Sequence, residues 1–467
     1  MYLKKVTLRN IKCFADFELD FTSSRTEGKP VRLWTALLGQ NGLGKSTLLQ
    51  AIGVALAGPI AVRELLPIAE GWVQRGKPYG EIEAELLWSE GDALAPHWPK
   101  KKSPYVARYI VTGDDPQRLR DVLPEHYTYT VPIIVDWSGT GAPRERENVG
   151  KDLSRLKQTA YAEGKTGWLG CGYGPFRRLS GGSENANQIL YTERKSARFV
   201  TLFREDAALT NATKWLIDLY NTDRDGDETS GKILLQIKEA FAHELFPQPT
   251  TLHVNARTAL LKIGDQEPVP FQDLSDGYRS MLALGIDLLR WLTHSFPDAN
   301  NPLDRPGVVL IDELDAHAHP TWQREIGHWL RKKFPNLQFI VATHSPFLAQ
   351  VADPNGNIVL EEAPGGVQPR IDVESVESWR ADQILTELFD LPSTRSPEVE
   401  RRLQRLQELH RQRQTHQLPS PEEQEYRQLT LWQEKLPPPL EDPTQRRRAQ
   451  ALQEAVERES NTLQDLS

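Results

Sequence analysis

Cysteine is nearly absent. Cys13 and Cys171 are the whole supply in 467 residues, too few for a disulfide framework or a Cys-rich zinc site. No run approaches the ~18 uninterrupted apolar residues that a membrane span needs, so no membrane contact is expected. The opening Met1-Tyr2-Leu3-Lys4-Lys5-Val6 is not followed by an apolar h-region, so no signal peptide is expected and the cytoplasm is the expected place of work. Positive charge is in deficit: the formal net charge is −8, so no global field advertises nucleic-acid binding. A local basic groove remains compatible with that average, and DNA is neither supported nor excluded. The length suits roughly two to four domain-sized units, each able to bury a core.

What is present centres on Val308-Val309-Leu310-Ile311-Asp312-Glu313. Four consecutive β-branched or Leu residues read as a fully buried strand, and two carboxylates at its carboxyl end point into the crevice where open α/β sheets bind ligands. A phosphate cradle matches it. Gly39-Gln40-Asn41-Gly42-Leu43-Gly44-Lys45-Ser46 fits G-x-x-x-x-G-K-[ST] in full, after the apolar run 31–38 and before a helix-like segment 46–56. Glycines let backbone N–H groups turn onto phosphates, and the helix start adds partial positive charge. Lys45 is expected to reach the β- and γ-phosphates, and the Ser46 hydroxyl to ligate Mg²⁺.

Around these lie weaker signals. Segments 2–10 and 14–21, then a polar turn 22–30, read as a β-rich lip ahead of the core. Strand-like runs at 81–88, 108–112 and 127–137 continue a sheet, with loops at 91–104 and 138–151. Segments 206–220 and 231–246 carry helix-period apolar residues and read as a helical subdomain. Between them, Thr222-Asp223-Arg224-Asp225-Gly226-Asp227 imitates an EF-hand opening, but its twelfth position is Leu234 rather than Glu, which favours a solvated loop. The alternating glycines of Gly170-Cys171-Gly172-Tyr173-Gly174-Pro175-Phe176-Arg177-Arg178 leave two readings open. One is a mobile loop whose Arg177 or Arg178 reaches a phosphate or a partner subunit; the other is an ordinary connection with solvated arginines.

Leu274-Ser275-Asp276-Gly277 precedes a strongly apolar helix, 281–292. Ser275 suits an N-cap, and the same geometry suits a γ-phosphate. A similar string, Leu179-Ser180-Gly181-Gly182-Ser183, lies too far upstream of Asp312 and is read as a decoy. His317 and His319 alternate on a loop without a third ligand cluster, which argues against a metal there. A second buried strand, 337–342, ends in Thr343-His344 and aims that histidine at the same crevice. From Pro397 onward the chain turns Gln-, Arg- and Glu-rich, with only a narrow apolar stripe at Val399, Leu403 and Leu406. A docking arm for a protein partner is the preferred reading.

Together, Gly39–Ser46, Leu274–Gly277, Leu310–Glu313, Asp315 and His344 occur in the order found in ABC-type ATPases. Leu8-Arg9-Asn10-Ile11-Lys12-Cys13-Phe14 resembles the opening strand of the SMC/RecF branch, which includes the OLD-family and Septu-type antiphage defence ATPases. The resemblance runs from residue 1 to about 350 and implies an α/β fold: an ABC/SMC-like head whose P-loop sheet has a β-rich lip and a helical subdomain, plus a helical C-terminal appendage. Expected boundaries are 1–110 for the N-terminal lobe, 111–270 for the insertion, 271–395 for the C-terminal lobe and 396–467 for the tail.

The resemblance also implies roles. ATP would be lined by Gly39, Asn41, Gly42, Gly44, Lys45, Ser46 and Thr47, with Lys12 touching the nucleotide. Ser46 and Asp312 would hold Mg²⁺. Glu313 would orient or deprotonate the attacking water, with Lys45 and the switch histidine His344 completing the catalytic set. Ser275, Asp276 and Gly277 would act in trans on the nucleotide of a second copy, and Asp315 would couple the two sites. Partners implied are a second copy in an ATP-dependent homodimer or higher oligomer, and a separate effector nuclease of HNH or Toprim type. A RecF-like repair ATPase, whose ATP state gates DNA binding, is the rival reading. Departures are Asp276, where the family commonly has Gly, the absence of a long heptad arm, and the lack of a clear Gln-loop residue, for which Gln158 and Gln188 both compete.

Overall fold

The computed structural model describes residues 1–436 apart from 24–28, 68–70, 93–102, 113–118, 120–122, 130–148, 178–182, 184–188, 190–191, 193, 208, 210, 243–244, 247 and 372–374. Met1–Asp390 forms one compact unit, and the chain from Leu391 onward forms another.

The first unit is organised on a six-stranded sheet. Strands β1 (Tyr2–Ile11) and β2 (Phe14–Asp20) form the lip, and β3 (Trp34–Leu38) leads into the P-loop and helix α1 (Lys45–Ala57). Then come β4 (Gly80–Leu87), β5 (Tyr105–Val111), β6 (Thr128–Tyr129), β7 (Leu169–Tyr173), and helices α2 (Asn211–Arg224) and α3 (Glu228–Ala242). Strands β8 (Thr250–Val254), β9 (Ala259–Ile263) and β10 (Val269–Pro270) precede α4 (Asp276–Ser295). The run β11 (Gly307–Ile311), α5 (Pro320–Lys333), β12 (Leu337–Ala342), β13 (Asn357–Ala363) and β14 (Gly366–Arg370) completes the unit.

The central order is β14-β13-β3-β12-β11-β7, parallel throughout except for β14. Every residue of β3, β7, β11 and β12 is buried, as a parallel sheet covered on both faces demands. Alternation divides these strands between two cores. Trp34, Val309, Ile311, Phe339 and Val341 join α2–α5 on one face; Leu37, Val308, Leu310 and Ile340 join α1 and the lip on the other. The lip is a second sheet, ordered β2-β1-β4-β5-β6. Helix α1 lies between both sheets and is apolar almost all round, as expected for a helix with no exposed face.

Several expectations change. The glycine-rich segment at 170–173 is neither a mobile loop nor a solvated connection: it is β7, paired with β11 and wholly buried. Arg177 is buried too, while Arg178 lies outside the described residues. The insertion expected at 111–270 also carries the small antiparallel sheet β10-β9-β8, packed against α3. The EF-hand-like stretch is the last turn of α2 plus a cap: Asp227 accepts from the Ser230 N–H at 3.1 Å and its hydroxyl at 2.6 Å, opening α3. Of the decoy string only Ser183 is described, donating its N–H to the Asp206 carbonyl. Most of the strand expected at 127–137, and Gln188, lie outside the described residues, whereas Gln158 ends a short helix packed on β5.

In the second unit, α6 (Pro397–Thr415) and α7 (Ser420–Gln433) pair as a hairpin in which Leu406 and Leu409 are buried.

Candidate nucleotide site

Strand β3 is followed by Gly39, whose φ of 128° few other residues adopt, and the loop closes at Gly44 with φ 88°. Glycine is required at 44 for a second reason: a Cβ there would meet the Cys13 sulfur at 2.5 Å and the Phe14 ring at 2.9 Å. The lip therefore presses on the back of the P-loop. Lys45 is buried at the start of α1, with Nζ donating to the carbonyls of Gly39 at 2.8 Å and Gln40 at 3.0 Å. Two loop carbonyls thus face the Lys45 charge. Gly42, Asn41, Ser46 and Thr47 are at least partly exposed beside it.

Two strands away in the order, β11 delivers Asp312, buried, and Glu313, exposed. Burial pushes the Asp312 pKa up, and Glu313 adds to this, while the hydrogen-bonded Ser46 hydroxyl, Arg177 and Lys45 pull the other way. Lys45 is shifted down by burial, against the pull of Asp312, Glu313 and Asp315. A hydroxyl and a desolvated carboxylate in contact are hard oxygen donors suited to Mg²⁺. Glu313 has φ 47°, left-handed for a residue with a side chain, a conformation costing of order 1–3 kcal/mol that the surroundings must impose.

Between β3 and β11 runs β12, so His344 emerges at the same end of the sheet. Asp315 accepts from the Thr343 hydroxyl and, at 3.4 Å, from the His344 N–H, tying the loop after β11 to the end of β12. Burial lowers the His344 pKa, and Lys45 lowers it further, against the three carboxylates. His317 and His319 take no part in the cluster: the His319 Nδ1 accepts from the Thr321 N–H at 3.3 Å as the N-cap of α5.

Ser275 is the N-cap residue of α4, yet its side chain makes no capping hydrogen bond, and both Ser275 and Asp276 are exposed. Asp276 pairs with Arg279 one turn on. Gly277 is buried for steric reasons: a Cβ would meet the Trp322 ring at 2.4 Å and the His317 carbonyl at 2.9 Å. The start of α4 is thereby seated directly on the loop after the carboxylates. Lys12 has φ 46° and rests its ammonium 4.6 Å from the centre of the Trp72 ring, which also binds its N–H through the Trp72 carbonyl. Sequence reasoning missed Thr343, Ser280 and the inward course of Arg177; only a buried-strand reading of Leu169–Tyr173 could have pointed to the last.

The relatives divide along the same crevice. A family described as "AAA domain" matches residues 5–129, and one described as "AAA domain, putative AbiEii toxin, Type IV TA system" matches residues 174–349. The Septu protein PtuA of Bacillus mycoides (strain KBAB4) is 25% identical over 392 residues, 83% of this chain and 44% of that protein. In both stretches that build the crevice the chain is similar to AAA-domain proteins. The Escherichia coli protein named retron Ec83 probable ATPase is similar to this chain at 41% identity over 125 residues, 27% of this chain and 22% of its own length. The chain therefore spans less than half the length of these curated relatives. A crystal structure of an SMC head bound to the C-winged helix domain of ScpA covers 80% of the chain and 98% of its own with a TM-score of 0.48 and 15% identity, too slight a likeness to carry an argument.

Proposed function

We propose that the protein is a slow Mg²⁺-dependent ATPase that dimerises around ATP and controls a partner effector nuclease in bacterial antiphage defence. The observation that carries the ATPase half is the meeting of the P-loop residues Lys45 and Ser46 with Asp312 at the carboxyl ends of β3 and β11, with Glu313 beside them. In this reading Gly39, Asn41, Gly42, Gly44 and Thr47 line the phosphates, Lys45 balances their charge, and Lys12 flanks the nucleotide. Ser46 and Asp312 would hold Mg²⁺, whose charge would offset that of the phosphates when bound. Glu313, open to solvent, orients or deprotonates water, and His344 sits by the γ-phosphate. Ser275 and Gly277 serve the nucleotide of a second copy; the Ser275 hydroxyl, with no capping role, is free for it. Asp276 puts a carboxylate beside them, paired with Arg279. Asp315 couples the sites.

Glu313→Gln is the test. ATP binding should persist, hydrolysis should fall by about a hundredfold or more, and dimer should accumulate with ATP. Unchanged turnover would refute the assignment.

The defence half rests on likeness to the Septu and retron proteins. The setting we propose is the cytoplasm; no helix among the described residues is long and apolar enough to cross a membrane. We retain the four-part division at 110, 270 and 395 as our proposal for its organisation, with 396–467 as the docking arm. Affinity purification from the native host, with and without ATP and nuclease, tests the partner: a stoichiometric nuclease supports effector control, while nuclease-sensitive DNA without a protein favours the RecF-like reading. Deleting 397–467 should leave ATP binding and folding of the head intact and abolish co-purification.

A further inference from the structure

The guanidinium of Arg177 is 3% exposed and spends its donors on three separate stretches of chain. Its Nη1 donates to the carbonyls of Gly174 and Asp312, both at 2.8 Å; Nη2 donates to the Glu313 carbonyl at 2.9 Å; Nε donates to the Ser280 hydroxyl at 3.3 Å. These stretches are the end of β7, the carboxylate end of β11, and the second turn of α4. Burial pushes its pKa down to about 10, with Asp312, Asp315 and Glu313 opposing, so the charge persists at neutral pH. Burying a charge is costly, and a planar fork is the group that can meet several carbonyls at once, where an ammonium cannot.

We propose that Arg177 is a positioning residue: it fastens the Asp312-Glu313 backbone to α4, so that displacement of the start of α4 is felt at the Glu313 carboxylate. The inference deepens the ATPase reading and rests on it. Two features give it direction. Glu313 is held in a left-handed conformation, and the atom pinned by Arg177 is its own carbonyl. Three residues before Ser280, Gly277 lies against Trp322 and the His317 carbonyl, so the first turns of α4 grip the loop after β11 at two points, by packing and through Arg177. Whatever binds the exposed Ser275-Asp276 end, a nucleotide on a second copy in our reading, pulls on a lever whose far end is the water-activating carboxylate.

The test uses the full chain with Arg177→Lys and Ser280→Ala, alone and combined with Glu313→Gln. Arg177→Lys should lower kcat about tenfold, and Ser280→Ala about threefold, with KM for ATP changed by no more than about twofold. In single-turnover assays of the Glu313→Gln background, neither should lower the residual rate further, because both act through that carboxylate. Unchanged kcat in both single variants, a rise in KM alone, or an undiminished effect in the Glu313→Gln background would overturn the proposal. If Arg177→Lys fails to fold, Ser280→Ala decides, since it removes one hydroxyl and leaves the guanidinium in place. Wild-type protein that hydrolyses no ATP would defeat the ATPase reading itself; active wild type with unaffected variants would defeat only the coupling.

Discussion

In the crevice at the ends of β3, β11 and β12, Lys45, Asp312 and Arg177 are almost wholly hidden from water, and each departs from its ordinary protonation behaviour because of that burial. In the hairpin of α6 and α7, similar side chains stand in solvent. Arg405 bonds Glu425 at 3.0 Å and Glu408 at 3.1 Å, and Arg413 bonds Glu423 at 3.2 Å, around a core of Leu406 and Leu409. The hairpin pairs are close in distance yet screened, and exposed pairs of this kind contribute little. Charge in the crevice is held against a desolvation cost by a fold that buries all of β3, β11 and β12; charge in the hairpin is there for solubility and for whatever the hairpin meets.

Substitutions should expose that contrast, beginning where it is greatest. Lys45→Ala removes the buried cation facing three carboxylates, and titration with a labelled ATP analogue should show affinity down by about a hundredfold. An affinity within a factor of two of wild type would mean that the buried charge does nothing for phosphate. Gly277→Ala forces a methyl into the Trp322 ring, and denaturant unfolding of the head should report a loss of about 1–3 kcal/mol. A neutral result would show that α4 is not seated as tightly as the geometry requires.

A smaller effect concerns pH. Burial holds His344 below its ordinary pKa of 6.5, so the unfolded chain takes up a proton that the folded site resists. Stability of the head should therefore fall as pH drops through and below that value, and His344→Gln should flatten this part of the profile. In the hairpin, Arg405 lowers the Glu425 pKa, so its contribution is lost only as pH falls below the ordinary glutamate range, leaving no slope between about pH 5 and 7. The smallest change is expected from Arg405→Ala: thermal unfolding of the head and its ATPase rate should both stay at wild-type values. A drop in either would erase the distinction between the two regions.

Much of the crevice was legible because its signals are local. The P-loop needs eight contiguous residues, and the strands at 307–311 and 337–342 announce themselves by unbroken apolar runs. Strand β7 was not legible, because three alternating glycines ordinarily mark a loop. Here Gly172 is small because a Cβ would strike Leu202 at 2.7 Å, and Gly170 because one would lie 3.0 Å from Trp168. At Gly172 the requirement comes from a side chain brought in from elsewhere in the chain, and no window around 170 contains it. Arg177 was misjudged for the same reason: beside glycines it looked solvated or aimed at phosphate, and, Gly174 apart, its partners lie more than 100 residues away. The sheet β8–β10 was missed because its strands, of five, five and two residues, are too short to carry much alternation.

The sequence by itself determined the chemistry available to this protein: a phosphate loop, two carboxylates at a strand end, a histidine at the end of the next strand, and a polar tail unable to build a large core. These follow from residue type and short-range spacing, which the chain carries wherever it folds. Only the tertiary structure decided how the parts are joined. The order β3-β12-β11-β7 brings the separate motifs to one edge, Gly277 becomes a contact with Trp322, and a buried guanidinium links α4 to the backbone of Glu313. Those relations depend on packing between residues distant in sequence, and packing exists only once the two cores have formed.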